Sequence, residues 1–89
     1  MPSKSLHEPP TSKQVNYLAM RMRVCDDYLP EAWRHEGPHE EADYRLANFE
    51  TWCERNLTIG SASFIIAAFK VDDDEGGLEA LRAAGCPIA

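Results

Sequence analysis

Three groups of side chains have types and spacings that invite chemistry. His35 and His39, with Glu36 and Glu40 beside them, look superficially like metal ligands. Gly37-Pro38 stands between the histidines, so they do not reliably share a helical face, and no cysteine is near them in sequence. Solvated loop histidines are the expectation, and metal is disfavoured. Asp72, Asp74 and Gly77 copy the first half of an EF-hand loop. The twelfth position is Ala83, where calcium needs a bidentate glutamate, so a capped turn is the expected reading. Cys25, Cys53 and Cys86 are odd in number, widely spaced and without a C-x-x-C pair. That pattern argues against a disulfide scaffold and a zinc knuckle and for a reducing compartment. No nucleophile has a base in a recognisable arrangement, and no glycine-rich phosphate loop is present. The expectation is a protein without catalysis and without a cofactor.

Surfaces carry more than motifs here. If residues 38–55 form one helix, Glu40, Asp43, Glu50 and Glu54 fall within an arc of about 80°, with no basic side chain among them. Such a row of carboxylates on a rigid rod is spaced comparably to phosphates on a nucleic-acid strand, and it is expected to meet a basic groove of a protein partner. The bland alternative is a solvated helix face, which is what charge runs usually are. On the first helix Tyr17, Met20, Val24 and Tyr28 form an apolar stripe almost opposite the core-facing residues. Either a partner covers it, a homodimer included, or the N-terminal arm folds back over it. Lys13, Arg21 and Arg23 lie on the same helix and are the residues a nucleic-acid contact would use, a thin footprint that the acidic body opposes.

These residues need elements to hold them. Thr11-Ser12-Lys13-Gln14 is a capping box, and Val15, Leu18, Ala19, Met22, Cys25 and Leu29 recur at helical steps, so a helix is expected from Ser12 to about Leu29, ended by Pro30. A loop follows, with a turn around Trp33. Pro38 then opens a second helix with Glu40, Glu41 and Asp43 in its first turns. It should run to about Arg55, bury Ala42, Leu46, Phe49 and Cys53, keep Trp52 at its edge, and stop at a left-handed Asn56. Thr58 caps a third helix, about Ile59 to Lys70, with Ile59, Ala62, Ile65, Ile66 and Phe69 inward. Phe64 and Ala68 leave it little polar surface, which makes it the expected central element. Asp72 to Gly77 reads as a turn before a last short helix, about Leu78 to Ala84, closed by Gly85 and Pro87.

The 89 residues therefore read as one all-α domain, a compact bundle of about four helices over residues 11–89 with an arm at 1–10. An apolar fraction of 44% can fill one core. Charge divides unevenly. Residues 1–25 carry Lys4, Lys13, Arg21 and Arg23 against Glu8, while the rest carry five basic side chains against fourteen acidic ones, for a net −6. A net anion disfavours general nucleic-acid binding but suits competition with nucleic acid for a basic protein. The first ten residues hold no signal-type apolar core, and the run Ala62–Phe69 is too short to span a bilayer, so no membrane role and a cytoplasmic setting are expected.

Thr11-Ser12-Lys13-Gln14-Val15-Asn16-Tyr17-Leu18, followed by Leu57-Thr58-Ile59-Gly60-Ser61-Ala62-Ser63-Phe64-Ile65-Ile66, resembles a short helical module of small phage and mobile-element proteins. The shared pattern is T-x-K-Q-x-x-Y-L, then L-T-x-x-x-A-S-x-x-I, covering about a fifth of the chain. The resemblance implies a non-catalytic accessory protein of phage type and transfers no residue roles. Joined to the acidic face, it implies a small inhibitor of anti-CRISPR or anti-defence character that blocks a nucleic-acid-handling complex of the host.

Overall fold

The computed structural model describes residues 6–33 and 46–88. Among these residues the chain is all-α, with no strand and with three α-helices: α1 (Ser12–Val24), α2 (Ala47–Asn56) and α3 (Ile59–Ala83). Two 3-10 turns, Asp26–Tyr28 and Glu31–Trp33, leave α1. The expected count of four helices gives way to three because the presumed turn at Asp72–Gly77 shrinks to two non-helical residues, Asp72 and Asp73, inside α3.

α1 starts where its capping box requires: Thr11 Oγ1 accepts from the Gln14 amide at 3.2 Å, and Gln14 Oε1 accepts from the Thr11 amide at 3.0 Å. It ends one turn earlier than the apolar periodicity suggests. Asp26 and Asp27 are unfavourable at the negative end of a helix dipole, and Leu29 is held extended by Pro30 (φ −85°, ψ 156°). Cys25 to Tyr28 therefore tighten into a 3-10 turn, and Tyr28 leaves the helical stripe expected to contain it.

α2 is also shorter. Leu46 has φ −102° and ψ 69°, so the helix begins at Ala47 and does not run unbroken from Pro38. Pro38, Ala42 and the histidine pair lie outside the described residues. Asn56 is not a left-handed stop: it belongs to α2 and its Nδ2 donates to the Trp52 carbonyl at 2.9 Å. Leu57 turns the chain out instead, extended at φ −100° and ψ 163°.

α3 opens with all its first amides occupied. Ser61 N–H donates to Thr58 Oγ1 at 3.1 Å and Ala62 N–H to the Thr58 carbonyl at 2.8 Å. The N-terminal arm supplies the other two acceptors: the Glu8 carbonyl takes the Ile59 amide at 2.9 Å and the Leu6 carbonyl takes the Gly60 amide at 3.0 Å. Residues 6–8 of the arm are thus tied to the chain's own body at the start of α3. At the other end Gly85 is left-handed (φ 101°), and Cys86 N–H and Gly85 N–H bond the Leu81 and Arg82 carbonyls, a Schellman closure.

One core joins the elements. Val15, Leu18, Ala19 and Met22 of α1 pack with Phe49 and Cys53 of α2 and with Ala62, Ile65, Phe69, Leu78 and Leu81 of α3. Gln14 ties α1 to α3, its Nε2 donating to the Ile59 carbonyl at 3.1 Å and to Ser63 Oγ at 3.2 Å. Asn48 Nδ2 ties α2 to the second 3-10 turn through the Ala32 carbonyl at 3.0 Å. Among the described residues no helix is long and apolar enough to cross a membrane.

Candidate docking surface

The bend in α3 shapes the surface most suited to a ligand. Asp73 has φ 56° and ψ −156°, a region that side chains strongly disfavour. Helix resumes at Asp74, whose carboxylate and that of Glu75 stand at the favourable positive end of the resumed segment. The bend folds the later segment over the earlier one: a Cβ on Gly77 would fall inside the Phe69 ring, and one on Gly76 would overlap the Asp72 side chain. Glycine at both positions permits this close approach.

Arg21 locks the bend from α1. Its Nη2 donates to the Phe69 carbonyl at 3.3 Å and to Asp74 Oδ1 at 3.2 Å, and its guanidinium lies 5.3 Å from the Phe69 ring centroid. The Phe69 carbonyl lies four residues before Asp73, where helical backbone is interrupted, so a side-chain donor serves it there.

Two grooves flank the later segment. The larger, of about 690 Å³, has Phe64, Ala68, Ala80 and Ala83 as apolar walls and Asp72, Asp73, Glu75 and Glu79 around them. The smaller, of about 440 Å³, lies on the other side between Tyr28, Cys25, Leu78 and Arg82, and shares Glu75 and Glu79 with the first. Those two glutamates form a crest between the grooves. Burial, and next the Asp74 carboxylate to which it hydrogen-bonds, raise the Cys25 thiol above its ordinary range. Burial also raises Cys53 and brings Cys86 up to about 12, so none of the three thiols is poised as a nucleophile.

The surfaces expected from the sequence are redistributed. Of the acidic row, Glu40 and Asp43 lie outside the described residues, Glu50 is only 6% exposed, and Glu54 is exposed. Within α2 Glu50 turns inward, so Glu54 is the member of the row that stands exposed among the described residues. The apolar stripe persists in part: Met20 and Val24 stand exposed on α1, Val24 by 79%, and Tyr17 is half-buried with Lys70 Nζ 5.5 Å from its ring centroid. Tyr28 is exposed but belongs to the smaller groove. Of the basic set, Arg21 is engaged at the bend, while Lys13 and Arg23 are exposed.

The apolar composition of α3 predicts a buried Phe64, yet it is 70% exposed, and Val71 on the same face is 78% exposed. The signal was present in the spacing: Gly60, Phe64, Ala67 and Val71 lie opposite Ala62, Ile65 and Phe69 on a helical wheel. The composition of Asp72–Glu75 suggests a turn, whereas the structure sets Asp72, Asp73 and Glu75 around the larger groove. Among the described residues no three His, Cys, Asp or Glu side chains stand where they could hold a metal ion. No protein family matches the chain, and no curated protein or solved structure matches it either.

Proposed function

We propose that this chain is a non-enzymatic, protein-binding inhibitor that works by covering a basic, nucleic-acid-handling surface of its partner. The observation that carries the reading is the joining of exposed apolar side chains to concentrated negative charge. Phe64 stands in a groove with Asp72, Asp73, Glu75 and Glu79 around it, and α1 presents Met20 and Val24 outward. Contiguous exposed apolar surface rimmed by polar side chains marks interaction sites, and the Phe64 groove with its carboxylate rim has that form. A carboxylate rim around them selects a basic partner and speeds its encounter. The α3 bend adds Asp72, Asp73, Glu75 and Glu79 to the acidic row that the sequence suggested on helix 2. The resemblance to small phage proteins supplies the setting, an anti-CRISPR-type block of a host complex.

The alternative is a nucleic-acid-binding accessory. Arg21, central to that footprint, already serves the Phe69 carbonyl and Asp74, which weakens this alternative. Tagged wild-type chain, the Met20→Asp/Val24→Asp variant and the Glu75→Lys/Glu79→Lys variant are incubated with host lysate at equal concentration. The inhibitor reading expects a basic species retained by wild type and lost from at least one variant, with unchanged circular dichroism. Equal retention by all three, or a gel shift of DNA by wild type with steep salt dependence, contradicts it.

A further inference from the structure

We propose that the larger groove at the α3 bend docks a basic amphipathic helix, with one large apolar side chain seated against Phe64 and lysines or arginines facing the rim. This rests on the protein-binding reading above and names the partner element. Three observations converge. First, the walls are Phe64 and the small side chains of Ala68, Ala80 and Ala83, which leave about 690 Å³ beside an aromatic ring that is 70% exposed. That is a seat for an apolar anchor, and the pairing of aromatic and aliphatic anchors dominates such interfaces.

Second, Asp72, Asp73, Glu75 and Glu79 line the same groove, and among the described residues no lysine or arginine does. A polyphosphate is repelled there, whereas cationic side chains one helical turn either side of an anchor are attracted. Third, the groove walls are helical on both sides and no strand exists among the described residues. The incoming backbone therefore finds no sheet edge on which to pair. It must satisfy its own amides and carbonyls, and a helix does so internally. Positions i and i+3 or i+4 of that helix would alternate between the apolar seat and the carboxylates.

The test uses a fluorescein-labelled amphipathic helix of leucine and lysine, a scrambled isomer of the same composition, and a leucine–glutamate counterpart. Anisotropy is read against the full chain and its Phe64→Asp and Glu75→Lys/Glu79→Lys variants. The altered side chains lie at a groove surface, and circular dichroism and thermal melting check folding. The expected result is saturable binding of the leucine–lysine helix, at least tenfold weaker for the scrambled peptide and for each variant, and absent for the leucine–glutamate helix. Equal affinity for Phe64→Asp, equal affinity of the scrambled peptide, or no binding by wild type overturns the proposal. So does sedimentation equilibrium showing a wild-type dimer that Phe64→Asp converts to monomer, because a second copy then occupies the groove. If the groove fails while lysate retention still depends on Met20 and Val24, the protein-binding reading stands and only the groove assignment falls.

Discussion

The Arg21 guanidinium of α1 meets the Asp74 carboxylate of α3 at 3.2 Å, immediately past the two residues where α3 loses helical geometry. One side chain thereby holds the bend through an ion pair, a carbonyl and an aromatic face. Both partners are partly exposed, so the ion pair alone is worth less than about 1 kcal/mol. The charged hydrogen bond to the Phe69 carbonyl adds about 1.5 kcal/mol or more. Arg21→Met should therefore cost about 2 kcal/mol in urea denaturation, and Asp74→Asn less than half of that. Equal costs would show that the ion pair, and not the carbonyl, holds the bend.

Gly77 is required by the Phe69 ring. Gly77→Ala gains helix propensity of about 1 kcal/mol but forces a methyl group into the ring, and overpacking of a tight core costs about 1–3 kcal/mol. The net expectation is destabilisation, relieved in part by Phe69→Leu in the same chain. A double-mutant cycle measures this, and additive effects would contradict the contact.

Asp73 sits at φ 56° and ψ −156°, where only glycine is at ease. Asp73→Gly should raise stability by about 1 kcal/mol despite glycine's greater freedom in the unfolded chain, whereas Asp73→Ala should not. Urea midpoints at constant m-value decide this. Removal of one carboxylate from the rim should also weaken binding of a cationic helix slightly.

Much of the fold was legible because its signals are local. The capping box at Thr11, the Thr58 cap and the Gly85 closure rest on residues within a few positions of one another, and all three occur as the spacing implies; at Thr58 Ser61 completes a second box. The apolar positions Val15, Leu18, Met22, Ile65 and Phe69 likewise point inward. The bend was misjudged for the opposite reason. Asp72 to Gly77 carries every composition cue of a turn, but Gly76 and Gly77 are there for close approach to residues four and eight positions earlier, which no local cue reveals. Arg21 shows the same limit: a cation on a helix surface looks free until a distant carbonyl is found beneath it. The acidic row on helix 2 presupposes one register across Leu46, which is non-helical, and Glu40 and Asp43 lie outside the described residues.

The buried thiols set an alkaline limit. Cys86 keeps its proton in the folded chain up to about 12, against an ordinary value of 9.0, and burial raises Cys53 in the same direction. Between these values the unfolded chain binds fewer protons than the folded one, so this stability is fully present below pH 9 and is lost as pH rises above it. The loss is about 1.4 kcal/mol per pH unit for each thiol. Between pH 8 and pH 10, Cys86→Ala should therefore lose about 1 kcal/mol less stability than wild type in guanidinium denaturation. An identical loss would show that Cys86 ionises freely in the folded state.

The docking of a cationic helix at the α3 bend is tested most directly by titrating the leucine–lysine peptide into isotopically labelled chain and following the backbone amides. The amides of Ala68, Gly76, Ala80 and Ala83 should shift together and saturate, while those of Asn48 and Asn56 on α2 stay fixed. Shifts centred on Met20 to Val24, or spread evenly over every acidic region, would contradict it.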